Sequence, residues 1–284
     1  MHRKLLFCLA FALLLALPAG CGNSSAAPTG SPAPKSTPED TAPVLAIPEP
    51  PPESTPASTP LPWPVYEFGV PVEESEPLTD DSFFDNAVFL GDSRTEGLEL
   101  FGGLKHGAYY WAEGMSVFQA DNEKYKVISI GGEDFTLLDA LSGRRFDAVY
   151  IMLGINELGY SAESYKAALA HLVDKVTAAQ PEAVVYLQLM PPLNDAMCRA
   201  NGLAHYINND NLRKFNEAIQ RVAAEKRVAL LNIAEVYTGG DGQLPEELSR
   251  DGCHVVYGAY SLWAHYLRNH VIDRERYFYS REQA

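Results

Sequence analysis

Ala87-Val-Phe-Leu-Gly-Asp-Ser-Arg-Thr-Glu-Gly97 is the stretch whose reading decides the fold. Its first four residues are all apolar, the pattern of a strand buried on both faces, and the polar run after Gly91 can open a helix. Gly91 lets the chain turn sharply between the two. Ser93 then stands just past the carboxyl end of a parallel strand, the edge at which open α/β sheets bind ligands. The amides that begin the following helix point toward it and favour negative charge. Taken alone, Gly91-Asp92-Ser93 is a weak signal, because such a triplet arises by chance in about one chain in ten or twenty at average composition. Its weight depends on what surrounds it.

Downstream, short apolar runs alternate with stretches of helical period, the signature of βαβ units around a parallel sheet. Further core strands are predicted at Asp147-Ala-Val-Tyr-Ile-Met-Leu153, Ala183-Val-Val-Tyr-Leu-Gln-Leu189 and Val228-Ala-Leu-Leu-Asn-Ile233, with a weaker one at residues 108–111. Tyr165, Leu169, Leu172, Val173 and Val176 recur at helical spacing, as do Leu212, Phe215, Ile219 and Val222, so two helices lay apolar faces on the sheet. Residues 126–136, with Gly131-Gly132 at their centre, read as a β-hairpin, since paired glycines permit the positive φ angles of a tight turn. No internal repeat is visible.

The chain has 284 residues, 46% of them hydrophobic, but spread unevenly. Between residues 22 and 80 lie 15 of the 20 prolines, with nine acids and one lysine, a composition that cannot pack a core. This segment reads as a semi-extended tether. Its last part, residues 63–72, is more apolar, and packing against the domain and lying free are both open readings. The folded domain is expected over residues 81–284, roughly the size of one ordinary α/β domain. Ahead of the tether, Arg3 and Lys4 precede an apolar run at residues 5–17 that is short for a membrane span, so residues 1–21 read as an export leader. Leu17-Pro18-Ala19-Gly20-Cys21 resembles the bacterial lipoprotein signal, which makes Cys21 the lipidation site, although Pro18 is unusual at its place. Simple cleavage and an uncleaved anchor are the alternatives, and all three put the domain outside the cytoplasm, with a lipid anchor as its contact with the membrane. A formal net charge of -15, from 22 basic against 37 acidic residues, argues against nucleic acid.

Two more short blocks stand where the sheet predicts chemistry. Leu153-Gly154-Ile155-Asn156-Glu157 follows a buried strand, so Asn156 projects at the same edge as Ser93, and its amide can donate to an oxyanion. Near the C-terminus, Asp251-Gly252-Cys253-His254 precedes a helical stretch at residues 257–269. Three-residue spacing brings the two outer side chains together: Asp251 can accept from Nδ1 of His254, leaving Nε2 to take a proton from Ser93. The seven histidines show no metal-binding spacing, and the richest glycine run, Thr238-Gly239-Gly240-Asp241-Gly242, lacks the pattern of a phosphate loop, so neither metal nor nucleotide cofactor is expected. In the folded part only Cys198 and Cys253 could join; separate thiols are the preferred reading and a disulfide the alternative.

Taken together, the blocks around Ser93, Asn156 and Asp251 to His254 resemble the SGNH/GDSL hydrolases, with three blocks in order over about residues 83–272. The resemblance implies a three-layer α/β/α, flavodoxin-like fold with a parallel central sheet, and hydrolysis of acyl esters without a metal. It implies Ser93 as nucleophile, His254 as general base, Asp251 as its orienting acid, and oxyanion donors from the Ser93 amide, Asn156 and a glycine of the second block. That glycine is read as Gly114, in Ala112-Glu113-Gly114-Met115-Ser116, with Gly131 or Gly132 as the alternative. Glu157 stands where the family usually has aspartate, with little expected consequence. Arg94 stands where a small or aliphatic residue is common, and an ion pair with Glu96 or Glu157 is preferred over a contact with substrate. The loop at residues 190–209, carrying His205 and Tyr206, is the candidate substrate wall. The expected activity is a serine esterase, with short acyl esters such as acetyl on cell-envelope glycans as substrates. An acyltransferase using the same residues and a noncatalytic glycan-binding or scaffold protein are the rivals.

Overall fold

A computed structural model describes residues 64–284 of the chain. The expected leader with Cys21, and the tether as far as residue 63, lie outside the described residues. The strands are β1 (Ala87–Gly91), β2 (Ala108–Trp111), β3 (Ile128–Ile130), β4 (Glu133–Phe135), β5 (Ala148–Met152), β6 (Val184–Gln188) and β7 (Ala229–Leu231). The α-helices are α1 (Ser93–Phe101), α2 (Val117–Ala120), α3 (Leu137–Ser142), α4 (Ala162–Ala179), α5 (Asp195–Ala200), α6 (Asn209–Lys226), α7 (Tyr260–Asn269) and α8 (Arg274–Gln283). Five strands form a parallel sheet in the order β2-β1-β5-β6-β7. Without the β3-β4 hairpin this is the flavodoxin-like order, whose crevice opens between β1 and β5, where connections leave in opposite directions.

Alternation along the strands divides the core into two layers. Val88, Leu90, Val149, Ile151, Val185 and Leu187 face α4 and α6, whose buried stripes are the residues predicted from spacing. On the opposite face, Phe89, Tyr150, Met152 and Tyr186 pack with Leu98 of α1, Trp263 and Leu267 of α7 and Tyr277 of α8. Register stacks Tyr109, Phe89, Tyr150 and Tyr186 side by side across four strands, ring centroids 4.6 to 4.8 Å apart. The three-layer α/β/α fold with a parallel central sheet is therefore the one expected. The hairpin is also present: Gly131 and Gly132, at φ +62° and +90°, make the turn between Ile130 and Glu133.

The domain boundary needs correction. Tyr66 and Val72 are each only 6% exposed, Pro71 pairs in parallel with Leu230 of β7, and the amide of Leu230 donates to Tyr66 Oη at 3.1 Å. The amide of Ser75 donates to the carbonyl of Asn269. Residues from Tyr66 onward thus belong to the folded part, which begins well before Asp81, because they cover the open edge of β7 and part of its core face. Of the two readings open for residues 63–72, packing against the domain is the one seen for Tyr66 to Val72, and a proline at a sheet edge costs no ladder hydrogen bond.

Candidate active site

Ser93 and Asn156 follow the carboxyl ends of β1 and β5, while Asp251 and His254 lie on a loop ahead of α7. Gly91 ends β1, Asp92 caps α1 by accepting the amide of Arg94 at 3.0 Å, and Ser93 is the first residue of the helix. A side chain at position 91 has no room: a Cβ there would lie 2.0 Å from Thr95 Oγ1 and 2.6 Å from the carbonyl oxygen of Met152. This close packing of α1 on β5 fixes where Ser93 emerges. From the C-terminal part of the chain, His254 brings Nε2 to 3.2 Å from Ser93 Oγ, across 161 residues of sequence.

The loop that carries His254 is shaped by Asp251. One carboxylate oxygen accepts the amides of Cys253 and His254, each at 2.8 Å, and the other accepts from His254 Nδ1 at 2.8 Å. Burial pushes this carboxyl up, but the bonds from the His254 ring and from the two amides outweigh it and bring it down to about 2. Asp251 is thus an anion at any physiological pH and orients the ring with Nδ1 carrying a proton and Nε2 free to accept. Gly252, at φ +93°, lets the loop close: a Cβ there would lie 2.6 Å from the amide nitrogen of Cys198 and 2.7 Å from the carbonyl of Asn194. The carbonyl of Gly252 also accepts from the Asn194 amide at 2.8 Å, which ties the loop to the start of α5.

Asn156 leaves the end of β5 by way of Gly154 and is exposed at the same edge. Its Nδ2 donates to the carbonyl of Met115 at 3.1 Å, so it lies against the turn after β2 that holds Gly114. Gly114 is exposed, at φ +71°. Gly131 and Gly132 are committed to the hairpin turn instead. Ser93, His254 and Asp251 are joined by hydrogen bonds, and Asn156 is joined to the Gly114 turn.

The family model of the GDSL-like Lipase/Acylhydrolase family matches residues 89–257, more than half of the chain. The chain belongs to this family. No curated protein matches it significantly. Among solved structures, a protein from Streptococcus pneumonia described as a candidate platelet activating factor superposes with a TM-score of 0.52 at 19% identity, covering 64% of this chain and 81% of that one. It shares the fold. A GDSL-like lipase from Bacteroides thetaiotaomicron VPI-5482 gives 0.49 at 14% identity, over 68% of this chain and 89% of that one.

Within this GDSL-type domain, one sequence expectation changes. Arg94 is 5% exposed and pairs with neither Glu96 nor Glu157. It forks onto Asp92, Nε to Oδ1 at 3.0 Å and a terminal nitrogen to Oδ2 at 2.7 Å. Two-residue spacing at the helix cap allows this, whereas the sequence reading considered only partners on the helix face and the neighbouring strand end. Glu157, expected to matter little, is fully buried and accepts the amide of Val117.

Cys198 and Cys253 are free thiols, as preferred. Burial pushes them up to about 11 and about 12 respectively, so neither is a thiolate at neutral pH. The segment at residues 190–209 is not purely loop, since it contains α5, and its Tyr206 ring lies 3.3 Å from where a Cβ on Gly159 would be, three residues beyond Asn156. With Phe118 and Tyr160, whose rings are 5.0 Å apart, it makes an exposed aromatic wall beside Asn156. An open groove of about 590 Å³ lined by Glu99, Trp111, Tyr125 and others reaches Glu113, the residue before Gly114, without including Ser93.

Glu157 also imposes a pH dependence on folding. Burial, helped by the charge of Asp92, raises its carboxyl from an ordinary 4.5 to about 7, against the opposing pull of the Val117 amide and Arg94. The folded protein therefore holds this proton more tightly than the unfolded chain, and stability falls as pH rises from about 4.5 to about 7. Glutamine cannot titrate. Comparing urea melts, the stability of Glu157→Gln relative to wild type is expected to improve by on the order of 3 kcal/mol between pH 4.5 and pH 8. A difference that does not change with pH contradicts this.

Proposed function

We propose that this GDSL-type hydrolase is an extracytoplasmic serine esterase that cleaves short acyl esters, acetyl foremost, from cell-envelope glycans. The observation that carries the chemistry is the 3.2 Å approach of Ser93 Oγ to His254 Nε2, with Asp251 on the far side of the ring. His254 takes the hydroxyl proton as Ser93 Oγ bonds to the acyl carbon. The amides of Ser93 and Gly114 and the side chain of Asn156 stabilise the resulting oxyanion. As the intermediate collapses, the carbon–oxygen bond to the alcohol breaks and His254 returns its proton to the departing alkoxide. Water then attacks the acyl-enzyme, giving a proton to His254, and release of the carboxylic acid restores the Ser93 hydroxyl. Side chains and backbone amides supply every step, so no metal or cofactor is called on.

Location and substrate rest on other features. The sequence of the leader and Cys21 supports a location on the outer face of a membrane, with the proline-rich segment as a tether. Phe118, Tyr160 and Tyr206 are exposed aromatic side chains near Asn156, a surface suited to the apolar face of a sugar. The test is a fluorophosphonate probe, which should label wild type and not Ser93→Ala. Incubating an O-acetylated glycan with and without an acceptor sugar should release acetate in both cases; acetyl transfer to the acceptor would make it a transferase. A folded wild type that resists the probe would instead support the binding-protein rival.

A further inference from the structure

Fully buried side chains among the described residues are mostly apolar or fully hydrogen-bonded, and Glu157 is neither. One carboxylate oxygen accepts the amide of Val117, while the other is buried with no hydrogen-bond partner among the described residues. Its charged surroundings are Asp92 and Arg94 at the start of α1, and Tyr165 of α4 lies on another side. An orphaned carboxylate oxygen is costly. Its placement matters because of the residue before it.

Asn156 and Glu157 are neighbours on the turn after β5, and they grip the turn after β2 at two points. Asn156 donates to the carbonyl of Met115, and Glu157 accepts the amide of Val117, two residues further on. Gly114 adjoins the first grip. It is exposed, has positive φ, and nothing lies within 4 Å of where its Cβ would be, so its own surroundings do little to hold it. We propose that Glu157 is a positioning residue that, together with Asn156, clamps these two turns and so sets the spacing between the side chain of Asn156 and the amide of Gly114. This rests on the reading of those two groups as oxyanion donors. Donors act through preorganisation, and a shift of about 1 Å costs on the order of 10- to 100-fold in rate.

A clamp of this kind needs an acceptor oxygen at position 157 and an N–H at position 117, and it does not need a charge. Glutamine therefore preserves it and alanine removes it. Val117→Pro removes it from the other side: residue 117 is the first residue of α2 after the cap Ser116, a position where proline's missing N–H and fixed φ suit a helix. The extended conformation of Ser116, at φ -104° and ψ 160°, also suits a residue before proline.

The experiment measures kcat and KM for p-nitrophenyl acetate, with thermal melting as the check on folding. Glu157→Ala and Val117→Pro should each lower kcat at least about 10-fold with KM within about twofold, while Glu157→Gln stays within about threefold of wild type. Combining Glu157→Ala with Val117→Pro should cost no more than either alone, because both break one contact. Equal losses for Glu157→Gln and Glu157→Ala, full kcat in Val117→Pro, or additive losses in the double variant would overturn the clamp while leaving the esterase reading intact. If Glu157→Ala does not fold, Val117→Pro and Glu157→Gln decide alone. A wild type that neither turns over p-nitrophenyl acetate nor reacts with a fluorophosphonate sinks the esterase reading and this inference together.

Discussion

Alanine at Ser93 and alanine at His254 are each expected to lower kcat for a short acyl ester by roughly 10⁴- to 10⁶-fold, and the double substitution by no more than either alone. The proposed roles require it. Without the hydroxyl there is no acyl-enzyme, and without the imidazole a hydroxyl of ordinary acidity has no acceptor within reach, since Nε2 at 3.2 Å is its hydrogen-bond partner. Asp251→Asn should lose less, roughly 10³- to 10⁴-fold, because the ring remains but an amide can present a donor to Nδ1 and favour the wrong tautomer. Residual hydrolysis above that of water would come from the oxyanion donors, which these substitutions leave in place. Stopped-flow or end-point release of p-nitrophenol measures all four variants. Multiplying losses in the Ser93→Ala, His254→Ala double variant would mean that the two side chains act separately, and a Ser93→Ala protein of near wild-type activity would end the esterase reading.

The fold was readable because its signals are periodic. Strands apolar on both faces, such as those ending at Gly91 and Met152, bury the same way whatever the loops do, and the stripes of α4 and α6 landed on the sheet residue for residue. The site was readable for a topological reason: in an open parallel sheet, whatever follows the carboxyl end of β1 or β5 must emerge at one edge, so Ser93 and Asn156 were placed by strand order alone. Two kinds of fact stayed hidden. Contacts set by loop path, such as Gly252 against Cys198 or Tyr66 beneath Leu230, leave no period in the sequence. Burial of charge is equally silent, because no period or spacing in the sequence marks Arg94 or Glu157 as taken out of water.

Replacing Arg94 by methionine is expected to cost roughly 3 to 5 kcal/mol of folding stability. The argument begins with Asp92, whose side chain is wholly buried and accepts both the forked guanidinium and the amide that opens α1. Methionine keeps most of the volume and all of the apolar packing of the arginine stem, so the loss reports the stranded carboxylate rather than a cavity. Asp92→Asn in the same background removes that charge while its remaining oxygen can still cap α1, and the double variant should recover a large part of the loss. Urea melts of the two single variants and the double, at pH 8, measure each part of this. A loss under 1 kcal/mol at pH 8, or a double variant worse than Arg94→Met, would show that the pair contributes little beside the turn between Gly91 and Ser93 that it brackets. Either result would move the source of that turn's rigidity from the ion pair to the packing of Thr95 and Met152 around Gly91.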